Sequence, residues 1–246
     1  MARRRRRRNP AGWLLTLILL VAAAAWALGG LPTSTEAFPL PSLPAPSVPA
    51  PSPTPVPSGV PDATLLATVQ ALPADEGLAL GYERDAFGAG WKDPDRNGCD
   101  TRNDMLARDL SAVVFKDGTS QCVVLSGVLD DPYTGAIIEF RRGEGTSELV
   151  QIDHVVPLGW AWRHSAGAWT AEQRVAFAND PDNLLAVDGP ANSSKSDSGP
   201  GEWLPPDASY HCDYARRFTA VLVEYGLGVG AADRAALEGL AVRCGG

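Results

Sequence analysis

The chain has 246 residues, of which 45% are hydrophobic and 20% are charged, so it is long enough to bury one sizeable core. An arginine block at positions 3–8 holds six of the 21 basic residues and none of the 29 acidic residues. The 15 basic and 29 acidic residues that remain give the rest of the chain a net charge of −14. This acidity disfavours a protein that binds nucleic acid tightly through a broad basic surface, although it is compatible with a local positive groove.

The first 28 residues predict an export signal. The arginine block precedes an apolar run, 13–28, of about sixteen residues without a charge, an order typical of a secretory signal peptide or an uncleaved signal anchor. Ala25-Trp26-Ala27 offers a cleavage site of small residues, yet the run is only a little shorter than the roughly twenty residues of a membrane span. Both outcomes stay open: the chain is expected to be secreted or anchored to the outer face of the cytoplasmic membrane. A nucleic-acid-binding arm is a further alternative for the arginine block.

Residues 29–62 are rich in proline, serine and alanine. Such a tract cannot build a packed core and tends toward extended polyproline conformations, so it predicts a spacer. The folded domain is therefore expected at residues 63–246.

The four cysteines, Cys99, Cys122, Cys212 and Cys244, all lie in this domain, and none belongs to a Cys-x-x-Cys pair. In an exported protein an even number of cysteines predicts disulfides. Of the three possible connectivities, Cys99–Cys122 with Cys212–Cys244 is favoured because each bond would join neighbouring segments. A zinc site is the alternative, although the spacing lacks the usual paired ligands.

Apolar periodicity, capping residues and turn residues predict a mixture of helices and strands in the domain. In chain order we expect a helix from Ala63, a helix at 102–110 capped by Asp100 or Thr101, strands at 122–129 and 136–140 around a turn at 131–135, a strand at 148–153, a helix at 171–178 after the cap Thr170, a strand at 184–187, a turn at 189–190, a helix beginning in 191–195, a helix at 214–225 stopped by Gly226, and a helix at 231–242.

The residues best suited to chemistry follow the strand at 148–153. His154 has an imidazole with an ordinary pKa of about 6.5, so it can be neutral and accept a proton from water. Asp153 supplies a hard carboxylate ligand for Mg²⁺, and Asn192 supplies an amide oxygen from the start of a helix. Asn183 is placed to hold the loop that bears the histidine. This set meets the needs of a one-metal phosphodiesterase, which requires a base for water and a cation against the phosphate.

The order of these residues carries a resemblance to known nucleases. VQIDHVVPL followed by NDPDNLLAVDGPANSSKSD resembles the core of HNH endonucleases, with Asp-His on the first strand, one asparagine leading the second strand and another entering the helix. Together with GCDTRNDMLARDL and DPYTG, the pattern resembles an HNH family related to the C-terminal nuclease domain of GmrSD restriction enzymes, over roughly residues 80–210. The resemblance implies an α+β fold: a ββα-metal (His-Me finger) nuclease core with flanking helices and a short β-hairpin.

By the same resemblance, His154 is the general base, Asp153 and Asn192 are the metal ligands, and Asn183 completes the catalytic set as its structural asparagine. The expected metal is Mg²⁺, with Mn²⁺ as an alternative. The expected partner is a nucleic acid substrate, DNA or alternatively RNA.

Two basic residues are candidate substrate contacts. Arg102 could clamp a phosphate bidentately, with an ion pair to Asp100 or Asp104 as its alternative. Lys195, one helical turn beyond Asn192, is expected to contact the phosphate backbone.

The stretch between His154 and Asn183 is longer than in compact HNH modules, and it is interpreted either as an insertion or as a sign that another asparagine fills the role of Asn183. His164, in this stretch, is expected to be solvated, and His211 is expected to be structural. The stretch also holds three tryptophans that we expect to pack rather than to stack on bases, Trp160, Trp162 and Trp169.

The sequence thus predicts an exported, metal-dependent HNH endonuclease that hydrolyses phosphodiester bonds and touches a membrane only through an uncleaved anchor. Its oligomeric state is not indicated. The alternatives are a noncatalytic cell-envelope or adhesion module on a Pro-rich stalk, and a structural zinc protein.

Overall fold

A computed structural model of the chain describes residues 62–78 and 81–245. The predicted signal segment and almost all of the Pro-rich spacer lie outside these residues. Within the two described ranges, no helix is both long enough and apolar enough to cross a membrane.

Helices alternate with short antiparallel strands, which confirms the α+β class. The helices are α1 Ala63–Ala71, α2 Thr101–Asp109, α3 Leu158–Arg163, α4 Ala171–Ala178, α5 Gly189–Lys195, α6 His211–Tyr225 and α7 Ala231–Arg243. The strands are β1 Leu110–Phe115, β2 Val124–Asp130, β3 Ile137–Arg141, β4 Val150–His154 and β5 Leu184–Asp188. Short 3₁₀ helices lie at Arg84–Phe87, Ala166–Ala168, Pro181–Asn183 and Ala208–Tyr210.

Capping residues fix helix ends as the sequence predicts. Asp100 begins α2, because its carboxylate accepts a hydrogen bond from the backbone N–H of Asn103 at 2.9 Å. Thr170 begins α4 in a reciprocal capping box with Gln173. Gly226 ends α6 in the left-handed conformation, at φ 62°.

The larger sheet has three antiparallel strands in the order β1-β2-β3. Its β2–β3 hairpin was predicted, with the turn at 131–135, but β1 was not. The predicted helix at 102–110 includes Leu110, whereas the structure ends α2 at Asp109 and starts β1 at Leu110. The helix passes into the strand between two adjacent residues, so no turn residues separate them. The strand residues that follow are mostly apolar on both faces, so they lack the alternation of apolar and polar residues that predicts a strand.

The smaller sheet pairs β4 with β5 antiparallel, so that Asp153 lies opposite Leu185 and His154 opposite Leu184. Helix α5 follows β5 without a loop. Asp188 ends β5 and also caps α5, accepting from the N–H of Ala191 at 2.7 Å. The turn predicted at 189–190 is therefore wrong, since those residues form the first turn of α5, where a proline is well tolerated.

The described residues form two hydrophobic clusters on either side of β5. Leu185 and Val187 of β5 pack in a cluster built mainly from helices, whereas Leu184 and Ala186 pack in a cluster between α2 and the sheets. Alternate side chains of a strand point to opposite faces, so β5 serves both clusters. This explains why β5 reads as a continuous apolar run. Because β4 pairs with β5, the residues at the end of β4 are also held between these two clusters.

Both favoured disulfides are present, Cys99–Cys122 and Cys212–Cys244, with Cα atoms 4.8 and 5.3 Å apart. Because these bonds use all four cysteines of the sequence, the alternative of a zinc site with cysteine ligands is wrong.

Candidate active site

Strand β4 ends at a surface cleft of about 440 Å³. Asp153 and His154, from β4, and Asn192, from α5, all line this cleft. The structure therefore brings together the predicted base and both predicted metal ligands. A second cavity of about 270 Å³ also reaches His154, on the side of α4.

The imidazole of His154 is held in one orientation. Its Nε2 lies 2.9 Å from the backbone carbonyl oxygen of Ala178, the last residue of α4, where carbonyl groups lack a partner within the helix. A carbonyl oxygen only accepts, so Nε2 must carry the proton and Nδ1 must hold the free lone pair. Trp91 stacks on the imidazole with 5.8 Å between ring centroids and an interplanar angle of 10°.

Burial lowers the pKa of His154 to about 3, and the positive charges of Arg84 and Lys195 contribute to the lowering. The ring is therefore neutral at ordinary pH, which is the state that a general base requires.

The residues around Ala178 and Trp91 are anchored to each other. The side-chain carbonyl of Asn179, next to Ala178, accepts a hydrogen bond from the N–H of Lys92, next to Trp91, at 2.9 Å. Thr101, at the start of α2, donates its hydroxyl to the carbonyl oxygen of Lys92 at 2.8 Å. The carbonyl that orients His154 and the ring that covers it are thus fixed by one hydrogen-bonded group.

Asp153 is buried and bonded on both carboxylate oxygens. The hydroxyl of Tyr133 donates to Oδ2 at 2.5 Å, and the ammonium of Lys195 lies 2.9 Å from both Oδ1 and Oδ2. Burial raises the pKa of Asp153, while the charge of Lys195 acts in the opposite direction. Burial likewise raises the pKa of Tyr133, so this phenol stays protonated and acts as a donor.

Lys195 has no exposed surface, so the predicted contact with the phosphate backbone is wrong. Besides Asp153, its ammonium donates to the backbone carbonyl oxygen of His154 at 2.8 Å. Burial lowers the pKa of Lys195, and the contact with Asp153 opposes that shift. Lys195 therefore ties α5 to the end of β4 from the inside instead of reaching a substrate.

Asn192 reaches the cleft from the first turns of α5. Its Nδ2 donates to Oε1 of Gln151 at 2.8 Å, which directs the amide and leaves Oδ1 as the atom available to a ligand. Gln151 lies on β4, two residues before Asp153, and lines the same cleft.

Asn183 is fully buried and holds the chain just after His154. Its Oδ1 accepts from the N–H of Val156 at 2.8 Å, its Nδ2 donates to the carbonyl oxygen of Val156 at 3.2 Å, and its own carbonyl accepts from the N–H of Val155 at 2.8 Å. These bonds fix the backbone directly after His154, and the role of Asn183 as the structural asparagine of a catalytic set stays a prediction.

Arg102 does not face the cleft. Its guanidinium donates to the backbone carbonyl oxygens of Val150 at 3.2 Å and Ser147 at 3.4 Å, so it holds the start of β4. Neither the predicted phosphate clamp nor the alternative ion pair with Asp100 or Asp104 matches this geometry.

The other two histidines are structural. His164 was expected to be solvated, but it is buried and stacks on Trp160 with 3.7 Å between ring centroids. The Nε2 of His211 lies 2.8 Å from the carbonyl oxygen of Pro205, consistent with its predicted structural role. Trp160 itself is buried in the core, as expected for packing.

The sequence interpretation missed three residues of the site: Tyr133, Trp91 and Arg84. Tyr133 stood within DPYTG, which was interpreted as a turn and as part of the family resemblance, without a role for the tyrosine itself. Asp131 of the same turn is buried and accepts from the N–H of Asp188 at 2.9 Å, so the turn is docked on the end of β5. The sequence signal that could have found Tyr133 is its place inside DPYTG, one of the motifs that carry the family resemblance. No motif or pattern in the sequence around Trp91 or Arg84 indicates that these residues belong to the site.

Asp153 and Asn192 offer one carboxylate and one amide oxygen, a hard donor set suited to Mg²⁺. Within the described part of the chain, no group of three or more His, Cys, Asp or Glu side chains is arranged to hold a metal ion. A cation here would take two protein ligands and complete its coordination with water and phosphate oxygens, which is the usual manner of Mg²⁺ at phosphate sites.

Comparison with known proteins agrees with the resemblance read from the sequence. The family model "GmrSD restriction endonucleases, C-terminal domain" matches residues 100–237, which is more than half of the chain. A protein of Arthroderma benhamiae named "Uncharacterized secreted protein" is 38% identical over 199 residues, covering 78% of this chain and 91% of that protein. No solved structure gives a significant match. The matched region contains the whole Asp153, His154, Asn183 and Asn192 set, and the chain belongs to the family of the C-terminal domain of GmrSD restriction endonucleases.

Proposed function

We propose that the chain is an exported, metal-dependent endonuclease that hydrolyses phosphodiester bonds of DNA, with RNA as a second substrate. One observation carries this proposal: His154, with Nε2 bonded to a carbonyl and Nδ1 free, shares a cleft with a carboxylate and an amide that present oxygen ligands. Family membership supports the same reaction class.

We infer that the elements around the cleft form a ββα-metal core. β4 and β5 form an antiparallel pair, and α5 follows β5 directly and packs against both strands. Helices α3 and α4 lie between the two strands in sequence, which accounts for the long stretch between His154 and Asn183. We interpret the long stretch as an insertion, and it provides the Ala178 carbonyl for His154.

Asp153 and Asn192 are the residues that would hold the divalent cation. Each carboxylate oxygen has two lone pairs, so the bonds from Tyr133 and Lys195 leave Asp153 able to bind one further ligand. When bound, Mg²⁺ or Mn²⁺ supplies positive charge that stabilises the phosphate in the transition state.

In this mechanism, the neutral imidazole of His154 accepts the proton of the attacking water at Nδ1 while the water oxygen bonds to phosphorus and the bond from phosphorus to the leaving sugar oxygen breaks. The Ala178 carbonyl keeps the ring in the required tautomer and stabilises the imidazolium that forms. Tyr133 and Lys195 keep the Asp153 carboxylate fixed, and Asn183 keeps the backbone after His154 in place. General-base catalysis of this kind contributes about 10²- to 10⁴-fold to a rate.

Export is supported by two further observations. The chain contains two disulfides, which persist in oxidising compartments, and the Arthroderma benhamiae relative is named a secreted protein. We propose that residues 1–28 direct export, that residues 29–62 act as a spacer, and that residues 63–246 form the nuclease domain.

The decisive experiment is digestion of supercoiled plasmid by the purified, disulfide-bonded chain. We expect cleavage with Mg²⁺ or Mn²⁺ that EDTA stops and that His154→Ala reduces at least about 10²-fold. His211→Ala is the matched control and should retain activity, because this histidine bonds to Pro205 away from the cleft. If the wild type cleaves neither DNA nor RNA with magnesium, manganese, calcium or zinc, a noncatalytic envelope module becomes the better reading.

A further inference from the structure

A nuclease whose folded domain is acidic needs a local cation to attract a phosphate, and three basic side chains near the site are already engaged. Lys195 is buried on Asp153, and Arg102 donates to backbone carbonyls at the far end of β4. Arg163 is paired with the carboxylate of Asp197, and its Nη2 also donates to the backbone carbonyl of that residue at 2.9 Å.

Arg84 differs from these three side chains, because its guanidinium contacts the neutral hydroxyl of Tyr82, which also lines the cleft, and not a carboxylate. It lines both cavities that meet at His154, the one of about 440 Å³ and the one of about 270 Å³. Among the described residues that line these cavities, it is the sole lysine or arginine. Its side chain is exposed, and no ion pair between Arg84 and a carboxylate occurs in the part of the chain that the structure describes.

The backbone around Arg84 is well anchored. Arg84 begins the 3₁₀ helix Arg84–Phe87, and the ring of Phe87 is buried 6.2 Å from the ring of Phe177 of α4. The carbonyl oxygen of Ala86 accepts from Nε of Arg174, also on α4, at 2.9 Å. The same helix α4 carries the Ala178 carbonyl that orients His154. Arg84 and the imidazole are therefore positioned by one element.

We infer that Arg84 binds a phosphate of the substrate strand next to the scissile bond. The inference rests on the proposed nuclease function and deepens it by naming a substrate contact. A guanidinium presents a planar fork of donors that matches two phosphate oxygens, and in a cleft that also holds Asp153 and Asp197 it supplies the positive charge that the strand requires.

The first test measures DNA binding in the His154→Ala background, where cleavage is suppressed, by fluorescence anisotropy in MgCl₂ at several salt concentrations. Adding Arg84→Ala should weaken binding about 10- to 100-fold, as expected for loss of a charged hydrogen bond. It should also reduce the slope of log K against log salt by about 0.9 for duplex DNA, or about 0.7 for single-stranded DNA. Arg141→Ala, an exposed arginine on β3 outside both cavities, is the matched control and should change neither quantity.

The second test locates the phosphate. Oligonucleotides with one neutral methylphosphonate at each position around the cleavage site are compared by kcat/KM. Among the positions that flank the scissile phosphate, the methylphosphonate that most slows the wild type should have little further effect on the Arg84→Ala enzyme, because the same contact is already lost. Arg84→Lys should recover part of the rate.

The outcomes separate this inference from the proposed function. If the wild type cleaves DNA but Arg84→Ala matches it in affinity, salt slope and response to every methylphosphonate, the role of Arg84 is wrong and the nuclease stands. If the wild type does not cleave, the nuclease proposal itself fails.

Discussion

The ion pair of Lys195 with Asp153 is the most consequential single contact of the site. Both side chains are buried, and each is also hydrogen-bonded, Asp153 by Tyr133 and Lys195 by the carbonyl of His154. A buried pair of this kind need not add net stability, but removal of one partner leaves an uncompensated charge in the interior. Loss of either side chain alone is therefore expected to destabilise the folded protein.

We expect Lys195→Met to lower the free energy of unfolding by about 3–5 kcal/mol, because Asp153 would remain buried without its partner. The double variant Asp153→Asn/Lys195→Met should be more stable than Lys195→Met alone, since it removes both charges. Urea unfolding of the single and double variants measures the coupling. Lys116→Met, at an exposed lysine beside the β1–β2 turn, is the control and should stay within about 0.5 kcal/mol of wild type. Strictly additive effects of the two substitutions would contradict this account.

At the level of residues, the sequence predicted the groups whose roles depend on local position. His154 and Asp153 end a strand, and Asn192 enters a helix, so their spacing along the chain was informative. Tyr133 was given no role and Lys195 was given a different one, because they reach Asp153 from 20 and 42 positions away. Such contacts depend on how elements pack, and a single sequence does not encode them locally.

At the level of elements, the junction between β5 and α5 determines where Asn192 and Lys195 lie. Gly189 begins α5 against the carbonyl oxygen of Glu148, just before β4, and a Cβ at this position would lie 2.1 Å from that oxygen. A distance this short excludes any side chain unless the helix moves. The helix that carries two site residues is thus held close to β4 by the absence of a Cβ.

Gly189→Ala should therefore destabilise the protein by at least about 1–3 kcal/mol, as overpacking does in a well-packed interior, and should reduce cleavage by shifting α5. Gly239→Ala is a matched control within α7, where the new Cβ meets only the end of Arg243 at 4.0 Å. That variant should gain about 0.5–1 kcal/mol from improved helix propensity. Chemical unfolding measures both variants, and a Gly189→Ala protein as stable as wild type would show that α5 does not depend on this approach.

Elements with clear ends and periods were predictable, and those without them were not. α4 has a capping box at Thr170, and α6 has a glycine stop, so both were placed within a few residues. Helix α3 was missed because Leu158–Arg163 is only six residues long, too short to show a helical period. Its residues Leu158 and Trp160 are held by the surrounding core, so tertiary packing decides their conformation.

At the level of the whole molecule, each hydrophobic cluster has one disulfide beside it. Cys212 lies at the start of α6 and Cys244 directly after α7, so their bond joins the two longest helices of the helical cluster. Cys99 precedes α2 and Cys122 precedes β2, so the other bond joins the elements of the second cluster. Strand β5 belongs to both clusters and pairs with Asp153 and His154. Weaker packing in either cluster is therefore expected to disturb the position of these two site residues.

Replacement of either disulfide by two alanines should therefore lower both stability and nuclease activity. The closed loops span sequence separations of 23 and 32 residues. Loops of this length correspond to about 3–4 kcal/mol of stabilisation by restriction of the unfolded chain. We expect urea unfolding of Cys99→Ala/Cys122→Ala and of Cys212→Ala/Cys244→Ala to show losses of this size, and reduction of the wild type to lower its unfolding midpoint by more than either. If the chain is exported as proposed, the reducing cytoplasm would hold it in a weakly folded, poorly active state beforehand, which would protect the nucleic acid of the producing cell. An unchanged unfolding midpoint and full cleavage by the reduced wild type would contradict this coupling.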